Sequence, residues 1–443
     1  MRRLRLLSVL AGLSLFAVPA SAHQVGTRFD APLPLSLLFA GAGATVAVTA
    51  VLLAWTDETP TGQRRVLTVP SSVSRTIRLT GRVLFLLAFV VALVDGVLGP
   101  RAPLGNFATL FVWPLLLKGV ALLSVLAGSP WRTLSPWRTL YDGLGWLEGR
   151  DIQYRAYPAF GDWPAFVGFL LVVGVAENLT QIPQRPALTA GLLAVYAAVM
   201  LLGGVVFGPR WFDHADAIGV LYRLLGRAAP FQVRSGDAGG DTLVARVPWR
   251  GCRDALPPSA AAFVVAAVYT VSFDGFAESP EYRTLFFGVR EALGVGPTVS
   301  VLLYLVGLAT FLVTFVGVTR FAGSLGDVDR PVQAFAVTVV PIAAAYEVAH
   351  NLSYVATYLG QLPRTVGAGS VDLLFWLPLS VYWGLQVVLV VVGHVVAVVA
   401  AHAVARRLVE GRRRALVAHL PLVALMVGYT VLSLWIISRP VAA

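Results

Sequence analysis

The chain of 443 residues is 57% hydrophobic and 13% charged, with a mean hydropathy of +0.76, which excludes an ordinary soluble globular protein. Its formal net charge of +11 is spread over loop ends rather than gathered on one face, so we expect no nucleic-acid partner. A single cysteine, Cys252, excludes an intrachain disulfide and a thiolate-rich metal site.

The first 22 residues have the pattern of a cleavable secretory signal peptide. Arginines at positions 2, 3 and 5 precede an apolar core, and Ala20-Ser21-Ala22 matches the small-residue cleavage site. We therefore expect residues 23–443 to form a single integral membrane domain. A retained signal would add one span without changing the orientation of the others.

Ten apolar runs follow the signal. Each is close to the roughly 20 residues that a helix needs to cross about 30 Å of hydrocarbon. The sequence therefore predicts an all-α fold, a polytopic transmembrane helix bundle with one span for each run. The runs cover residues 33–55, 81–98, 107–127, 163–182, 187–207, 259–276, 297–319, 335–359, 372–402 and 415–437.

The basic residues alternate between the loops that join these runs. Of 34 basic residues 33 are arginine, and 23 of them fall in every second loop against 7 in the loops between. Arginine-rich loops face the cytoplasm in membrane proteins, so we expect a cell-membrane protein with its mature N-terminus and its C-terminus outside. The largest such loop, 208–257, holds an amphipathic stretch, Asp213 to Arg227, and then a Gly/Asp-rich turn that predicts a small hairpin.

A tandem repeat, Ser-Pro-Trp-Arg-Thr-Leu written twice, occupies residues 129–140. It places Trp131, Arg132, Trp137 and Arg138 beside a span, where such residues normally lie at the lipid headgroup interface. Specific recognition of an anionic lipid is the alternative. In both readings the partner of this segment is the lipid bilayer.

Polar side chains at membrane depth are the strongest functional signal, because a charge in hydrocarbon is costly unless it is paired or hydrated. In the eighth run Glu347, His350, Asn351 and Tyr354 share one helical face at 100° per residue. The preceding Ala343-Ala344-Ala345 would let a neighbouring helix approach closely.

Lys118, the single lysine, lies in the third run. It is about 16 Å from the outer end of its span, a depth close to that of Glu347, so we predict an ion pair between the two. Glu177 and Asn178 in the fourth run would extend this polar site outward. Asp95 and Asp274 would complete a pocket for a small molecule or ion, or would simply face water at the ends of their spans.

Glu347 and His350 are spaced as in one half of a dinuclear metal motif. With Glu177 they could instead hold a single zinc ion, so a divalent metal is a candidate cofactor that no motif requires. The chain has no phosphate-binding loop, dinucleotide fingerprint or nucleophile elbow. Near the arginine-rich loops, His394, His402 and His419 predict either interfacial histidines or a proton relay.

Six short segments are spread along nearly the whole chain: Asn106–Val112, Ser135–Arg138, Leu224–Phe231, Phe273–Phe276, Val340–His350 and Val392–Val395. Together they resemble a prokaryotic family of polytopic membrane proteins called fenitrothion hydrolase-like. The resemblance implies hydrolysis of an organophosphate triester but assigns no catalytic residue. Where that family shows Ala-Tyr-x-x-Ala-His followed by an aromatic residue, this chain has Glu347 inside the motif and Asn351 after it.

Three functions stay open from the sequence. The leading one is a transporter or permease-like protein with an outward-facing polar site near Glu347 and His350. The first alternative is a membrane-embedded metal-dependent hydrolase that uses Glu347, His350 and Glu177 as ligands or base. The second is a non-catalytic assembly or lipid-binding protein in which the polar stripe only packs helices. Substrate, coupling ion and oligomeric state are left open.

Overall fold

The computed structural model describes residues 34–55, 62–150, 152–235 and 240–439. The predicted signal peptide lies outside these residues. Among the described residues nine helices are long and apolar enough to cross a membrane, which agrees with an all-α multi-pass membrane protein. These helices are α1 (Leu35–Leu53), α2 (Ser71–Leu98), α3 (Phe107–Ala127), α7 (Pro186–Phe207), α10 (Pro258–Ala277), α12 (Val299–Gly326), α13 (Val340–Leu359 within Pro331–Val366), α14 (Leu379–Leu408) and α15 (Arg412–Ser438).

The tenth predicted span corresponds to a shorter apolar helix, α6 (Trp163–Glu177). It stops five residues before the predicted end of that span at residue 182. The remaining helices are short and connect the long ones: α4 (Trp131–Leu134), α5 (Pro136–Glu148), α8 (Pro209–His214), α9 (Ala217–Leu225) and α11 (Pro280–Leu293).

Ion pairs and hydrogen bonds at one end of the bundle join the loops that are rich in arginine. Arg412 donates to the carbonyl of Ala54 at 2.7 Å, and Arg407 lies 3.3 Å from Asp254. We call this the arginine-rich end. At the opposite end Arg439, just after α15, lies 2.8 Å from Glu281 in α11.

A small antiparallel sheet covers part of the arginine-rich end. The predicted hairpin is present as β2 (Phe231–Ser235) and β3 (Asp241–Arg246), which pair in antiparallel register. A third strand, β1 (Gln63–Val69), pairs with the other edge of β3, giving the order β1-β3-β2. The sequence did not predict β1, because its side chains are almost all exposed and so lack an alternation of apolar and polar residues.

The close helix approach expected at Ala343-Ala344-Ala345 is confirmed. α14 crosses α13 there, and a methyl group added at Gly393 would overlap the side chain of Ala345. Small residues on both helices therefore allow the two backbones to come together, as in other membrane bundles.

The α9 helix enters the bundle from the arginine-rich end and is held there by the carboxylate that caps it. Both tryptophans of the tandem repeat, Trp131 and Trp137, donate their indole N–H to the same oxygen of Asp216, at 2.8 and 2.7 Å. The other oxygen accepts from the Tyr196 hydroxyl at 2.8 Å and from the Gly219 amide at 3.1 Å. Repetition of the sequence thus supplies two donors to one buried acceptor.

Beyond this cap, α9 packs among α3, α6 and α13 with seven of its nine residues buried. Tyr222 is fully buried and donates its hydroxyl to the backbone carbonyls of Leu116 and Leu117 in α3. The stretch that the sequence indicated as an amphipathic loop segment is therefore part of the helical interior, with its apolar face turned into the bundle.

Replacing Asp216 by Asn should destabilise the protein. The amide would turn an N–H₂ group toward buried donors, so we expect a loss of about 2–4 kcal/mol in the free energy of unfolding. Asp142→Asn is the control, because Asp142 makes a partly exposed pair with Arg82 and should cost under about 1 kcal/mol. Thermal unfolding followed by tryptophan fluorescence measures both, and equal stabilities would contradict the role given to Asp216.

Candidate functional site

Five ionisable side chains from four helices meet inside the bundle, and we call them the charged cluster. Four of them have at most 9% of the side chain exposed, while the fifth, His350, has 18% of its side chain exposed. Counted along α3 from Phe107, the cluster lies roughly 16 Å from the opposite end, at 1.5 Å per residue. The members are Lys118 in α3, Glu177 in α6, Asp274 in α10, and Glu347 and His350 in α13.

Lys118 stands between two glutamates. Its ammonium lies 3.2 Å from Oε1 of Glu177 and 4.0 Å from Oε1 of Glu347. The predicted contact with Glu347 is therefore present, but Glu177 is the nearer partner. All three side chains are at most 6% exposed, so solvent screening of these pairs is small.

Both members of the Lys118–Glu177 ion pair lie in π-helical segments. In α3 the segment is Phe111–Gly119, which contains Pro114 and ends just after Lys118. In α6 it is Leu170–Glu177, which ends on Glu177 itself. A π turn adds one residue, which rotates the following side chains by about 100° relative to a regular helix. Such turns are rare and frequently occur at functional sites.

The α6 helix ends inside the protein, at Glu177. The next residues turn back toward α7 with Asn178 and Leu179 buried. The C-terminal carbonyls of a helix carry partial negative charge, which adds to the attraction between this helix end and Lys118. Irregular backbone at membrane depth is tolerated only where protein or a polar cavity surrounds it.

The second pair of the cluster faces the opposite end. Nε2 of His350 lies 2.8 Å from Oδ2 of Asp274, and the side chains are 18% and 9% exposed. His350 is therefore the most accessible member. Gly275 lies next to this pair and allows α15 to approach closely, since a methyl group there would come within 2.8 Å of Ile436 and stand in ordinary contact, at 3.8 Å, with the His350 ring.

The cluster contains more acid than base. Asp274 lies close enough to Lys118 to interact with its charge, so three carboxylates share one lysine and one histidine. With all groups in their ordinary ionised states the cluster carries excess negative charge in a poorly screened interior. Such a site attracts a proton or a small cation.

Asp95, the other aspartate that the sequence suggested for this pocket, belongs elsewhere. Its Oδ2 accepts the backbone N–H of Phe107 at 2.6 Å at the start of α3. Asp95 therefore joins two helices at the opposite end and has a structural role.

Buried amide groups adjoin the cluster. Asn351 is fully buried, and neither atom of its amide has a hydrogen-bond partner among the residues that the structure describes. Asn178 donates to the carbonyl of Val173 at 2.9 Å, which leaves its oxygen unpartnered within the described part of the chain. Tyr354 lies close enough to Glu177 and Asp274 to sense their charges. The predicted set of site residues is thus brought together, with uncommitted polar atoms beside the charges.

A small cavity lies between the cluster and α9. Its volume is about 10 Å³, and Lys118 and Glu347 line it together with Leu221 and Leu225 of α9. That volume is close to the ~10–15 Å³ that one water molecule needs. The α9 helix therefore closes the cluster on the side of the arginine-rich end.

The candidate metal ligands do not form a metal site. Among the described residues no three His, Cys, Asp or Glu side chains are placed to hold one ion. Lys118 pairs with both glutamates, and Asp274 is within hydrogen-bond distance of the ring nitrogen Nε2 of His350. The candidate ligands Glu347, His350 and Glu177 are therefore not gathered around one position among the described residues, since Lys118 lies between the two glutamates.

The tandem repeat does not place its tryptophans at a lipid interface. Trp131 and Trp137 are 4% and 0% exposed, because their N–H groups are used by Asp216. The headgroup interface predicted for these rings is a wrong prediction, whereas Arg132 is exposed and Arg138 lies 2.9 Å from Asp213. Asp216 was missed, although two tryptophans in a short repeat could have suggested a shared acceptor.

The three histidines toward the arginine-rich end are also buried rather than interfacial. His402 and His419 lie on α14 and α15 with their ring centroids 5.2 Å apart. His394 contacts the carbonyl of Val390 within its own helix at 2.8 Å. They remain separate from the charged cluster.

Comparison with protein-family models, with curated proteins and with solved structures found no match. The function is therefore inferred from the geometry of the site.

Removing the lysine charge tests which glutamate is the stronger partner of Lys118. Lys118→Met leaves two carboxylates buried without a cation, so we expect a loss of about 3–5 kcal/mol in the free energy of unfolding. Adding Glu177→Gln should restore more of this loss than adding Glu347→Gln, since Glu177 is nearer to Lys118. Unfolding in mixed detergent micelles measures all three variants, and equal restoration would contradict the assignment of Glu177 as the main partner.

Proposed function

We propose that this chain is a transporter or permease-like membrane protein whose charged cluster binds the coupling proton or cation. The observation that carries the proposal is the excess of carboxylates over basic groups in a buried site. Protonation, or binding of a cation, would relieve the repulsion among these acids. It would also change the relative strength of the ion pairs that Lys118 makes with Glu177 and Glu347. Intramembrane ionisable groups of this kind commonly lie on ion pathways.

The broken helix supports the same proposal. Transporter sites near the middle of the membrane are typically formed where helices are discontinuous, with helix ends directed at the ion. Here α6 stops at Glu177, and its π turn faces the one in α3. His350 gives partial access from the opposite end, and α9 closes the other side. These features support a site that is open to one side at a time.

The second cavity on this side of the bundle indicates the class of substrate. An apolar cleft of about 390 Å³ lies between α10, α12 and α15, within the ~300–1,000 Å³ range of ligand pockets. Its wall includes Phe276 and Ile436, and a methyl group on Gly275 would meet both Ile436 and the ring of His350. An apolar molecule in this cleft would be separated from the cluster only by Gly275. The cleft therefore favours an apolar or amphiphilic substrate.

The two alternative functions have less support. The family resemblance implies hydrolysis of an organophosphate ester, which would need a metal or a nucleophile. The candidate groups, which are the three carboxylates of the charged cluster and His350, already pair with one another or with Lys118. A purely structural role for the polar stripe explains the ion pairs but leaves the buried amide of Asn351 without a purpose.

We also propose that the arginine-rich end faces the cytoplasm, as the positive-inside rule implies. Both mature termini would then lie outside the cell membrane.

Single introduced cysteines test this orientation. Burial raises the pKa of Cys252 to about 12 against the opposing effect of Arg227 and Arg246, and the thiol is 0% exposed, so the native cysteine should not react. An impermeant maleimide applied to intact cells should label Thr284→Cys in α11, and should label Glu148→Cys in α5 only after lysis. Labelling in the reverse order would overturn the orientation.

Charge movement on a pH jump tests the proton or cation site without a known substrate. Proteoliposomes on a solid-supported membrane should give a transient current when the pH falls, because protons enter the cluster. Glu347→Gln combined with Asp274→Asn should reduce the current at least about fivefold, since two of three buried acids are removed.

The control is Glu281→Gln, which removes a carboxylate from the same end of the bundle outside the cluster. Its current should equal that of the unmodified protein. A current that is the same in all variants, or no larger than in protein-free liposomes, would overturn the proposed function. An added cation that competes with the proton current would identify the coupling ion.

A further inference from the structure

We propose that a pocket at the arginine-rich end binds a phosphate group. The pocket has a volume of about 320 Å³ and lies between the tandem repeat and α9. It is separate from the charged cluster, so this inference does not depend on the proposed transport function. We call it the arginine pocket and define it by Arg132, Arg138 and Arg223, which line it with Trp131 and Asp213.

Arg132 carries the least compensated charge in this pocket. It makes no hydrogen bond, ion pair or ring contact with any residue that the structure describes, although it follows the buried Trp131 directly. Its backbone is held by the short helix α4, and Trp131 is anchored on Asp216. The guanidinium is therefore free to bind while its attachment point is fixed.

The other two arginines are oriented by acids that leave part of each guanidinium available. Arg138 lies 2.9 Å from Asp213 through one nitrogen, and its guanidinium stands 5.9 Å from the Phe212 ring. Arg223 lies 3.1 Å from Asp162 through one nitrogen and donates to the backbone of Asp213 through the other. An arginine side chain has five N–H donors, so each keeps donors for a second partner.

The acids of the lining do not cancel this charge. Asp216 has both oxygens occupied by Trp131, Trp137, Tyr196 and the Gly219 amide, so it offers no free acceptor to Arg132. Asp213 is paired with Arg138 and Asp162 with Arg223. Arg132 is therefore the arginine of the pocket that no described acid pairs with, and planar guanidinium groups bind phosphate oxygens in a bidentate manner.

The tandem repeat explains how the pocket is built. Each copy places a tryptophan in the Asp216 network and an arginine one residue later, so Arg132 on α4 and Arg138 on α5 line the same pocket. One copy would supply one arginine and half of the anchor. Phosphate could come from an anionic lipid headgroup or from a soluble phosphate compound, since the chemistry of recognition is shared.

The test compares Arg132→Gln with Arg75→Gln in the full-length protein. Both arginines are exposed and neither makes a hydrogen bond, ion pair or ring contact with a described residue, but Arg75, near the start of α2, is outside the pocket. Because Arg132 makes none of these interactions within the described part of the chain, its variant should unfold at the temperature of the unmodified protein. Any loss of binding then reports on the pocket rather than on folding.

Two measurements separate the sources of phosphate. In phosphatidylcholine nanodiscs, calorimetric titration with inorganic phosphate should show binding at least about tenfold weaker for Arg132→Gln if the ligand is soluble. If the ligand is a lipid, native mass spectrometry in phosphatidylglycerol should show one retained lipid that Arg132→Gln loses. Failure of both measurements to distinguish Arg132→Gln from the unmodified protein, or an equal loss with Arg75→Gln, would overturn the proposal.

Discussion

The placement of Lys118 between Glu177 and Glu347 constrains the rest of the bundle. A lysine at membrane depth is costly unless a counter-charge lies beside it, so α6 and α13 must both approach α3 at one level. The π turns in α3 and α6 make that approach possible, because each adds a residue and so rotates a charged side chain toward its partner. Pro114 favours the turn in α3 by removing one backbone donor.

The sequence predicted much of the bundle and part of the site. Apolar runs located the long helices, and equal depth brought Lys118 to Glu347, because both inferences need only the rise per residue. Glu177 was expected nearer the surface, since its run of apolar residues continues to 182. The helix instead ends at Glu177, and a π turn leaves no mark in a 3.6-residue pattern.

Contacts between distant segments were beyond the sequence. Trp131 and Trp137 are separated from Asp216 by 85 and 79 residues, so nothing in their own neighbourhood reveals the acceptor. A lipid interface was expected because both tryptophans lie beside a span, where the indole N–H finds a polar partner. A buried carboxylate supplies that partner equally well. Strand β1 was missed for a similar reason, because its partner β3 lies far along the chain.

The short helix α9 lies between the arginine pocket and the charged cluster. Its capping residue Asp216 belongs to the network behind the arginine pocket, while Leu221 and Leu225 line the cavity beside Glu347. Between them, Tyr222 holds the backbone that leads to Lys118. A displacement of α9 would therefore change both sites together. If phosphate binding at the arginine pocket changes the proton or cation affinity of the cluster through α9, then proton or cation binding must change the phosphate affinity by the same factor, because coupling between sites is reciprocal.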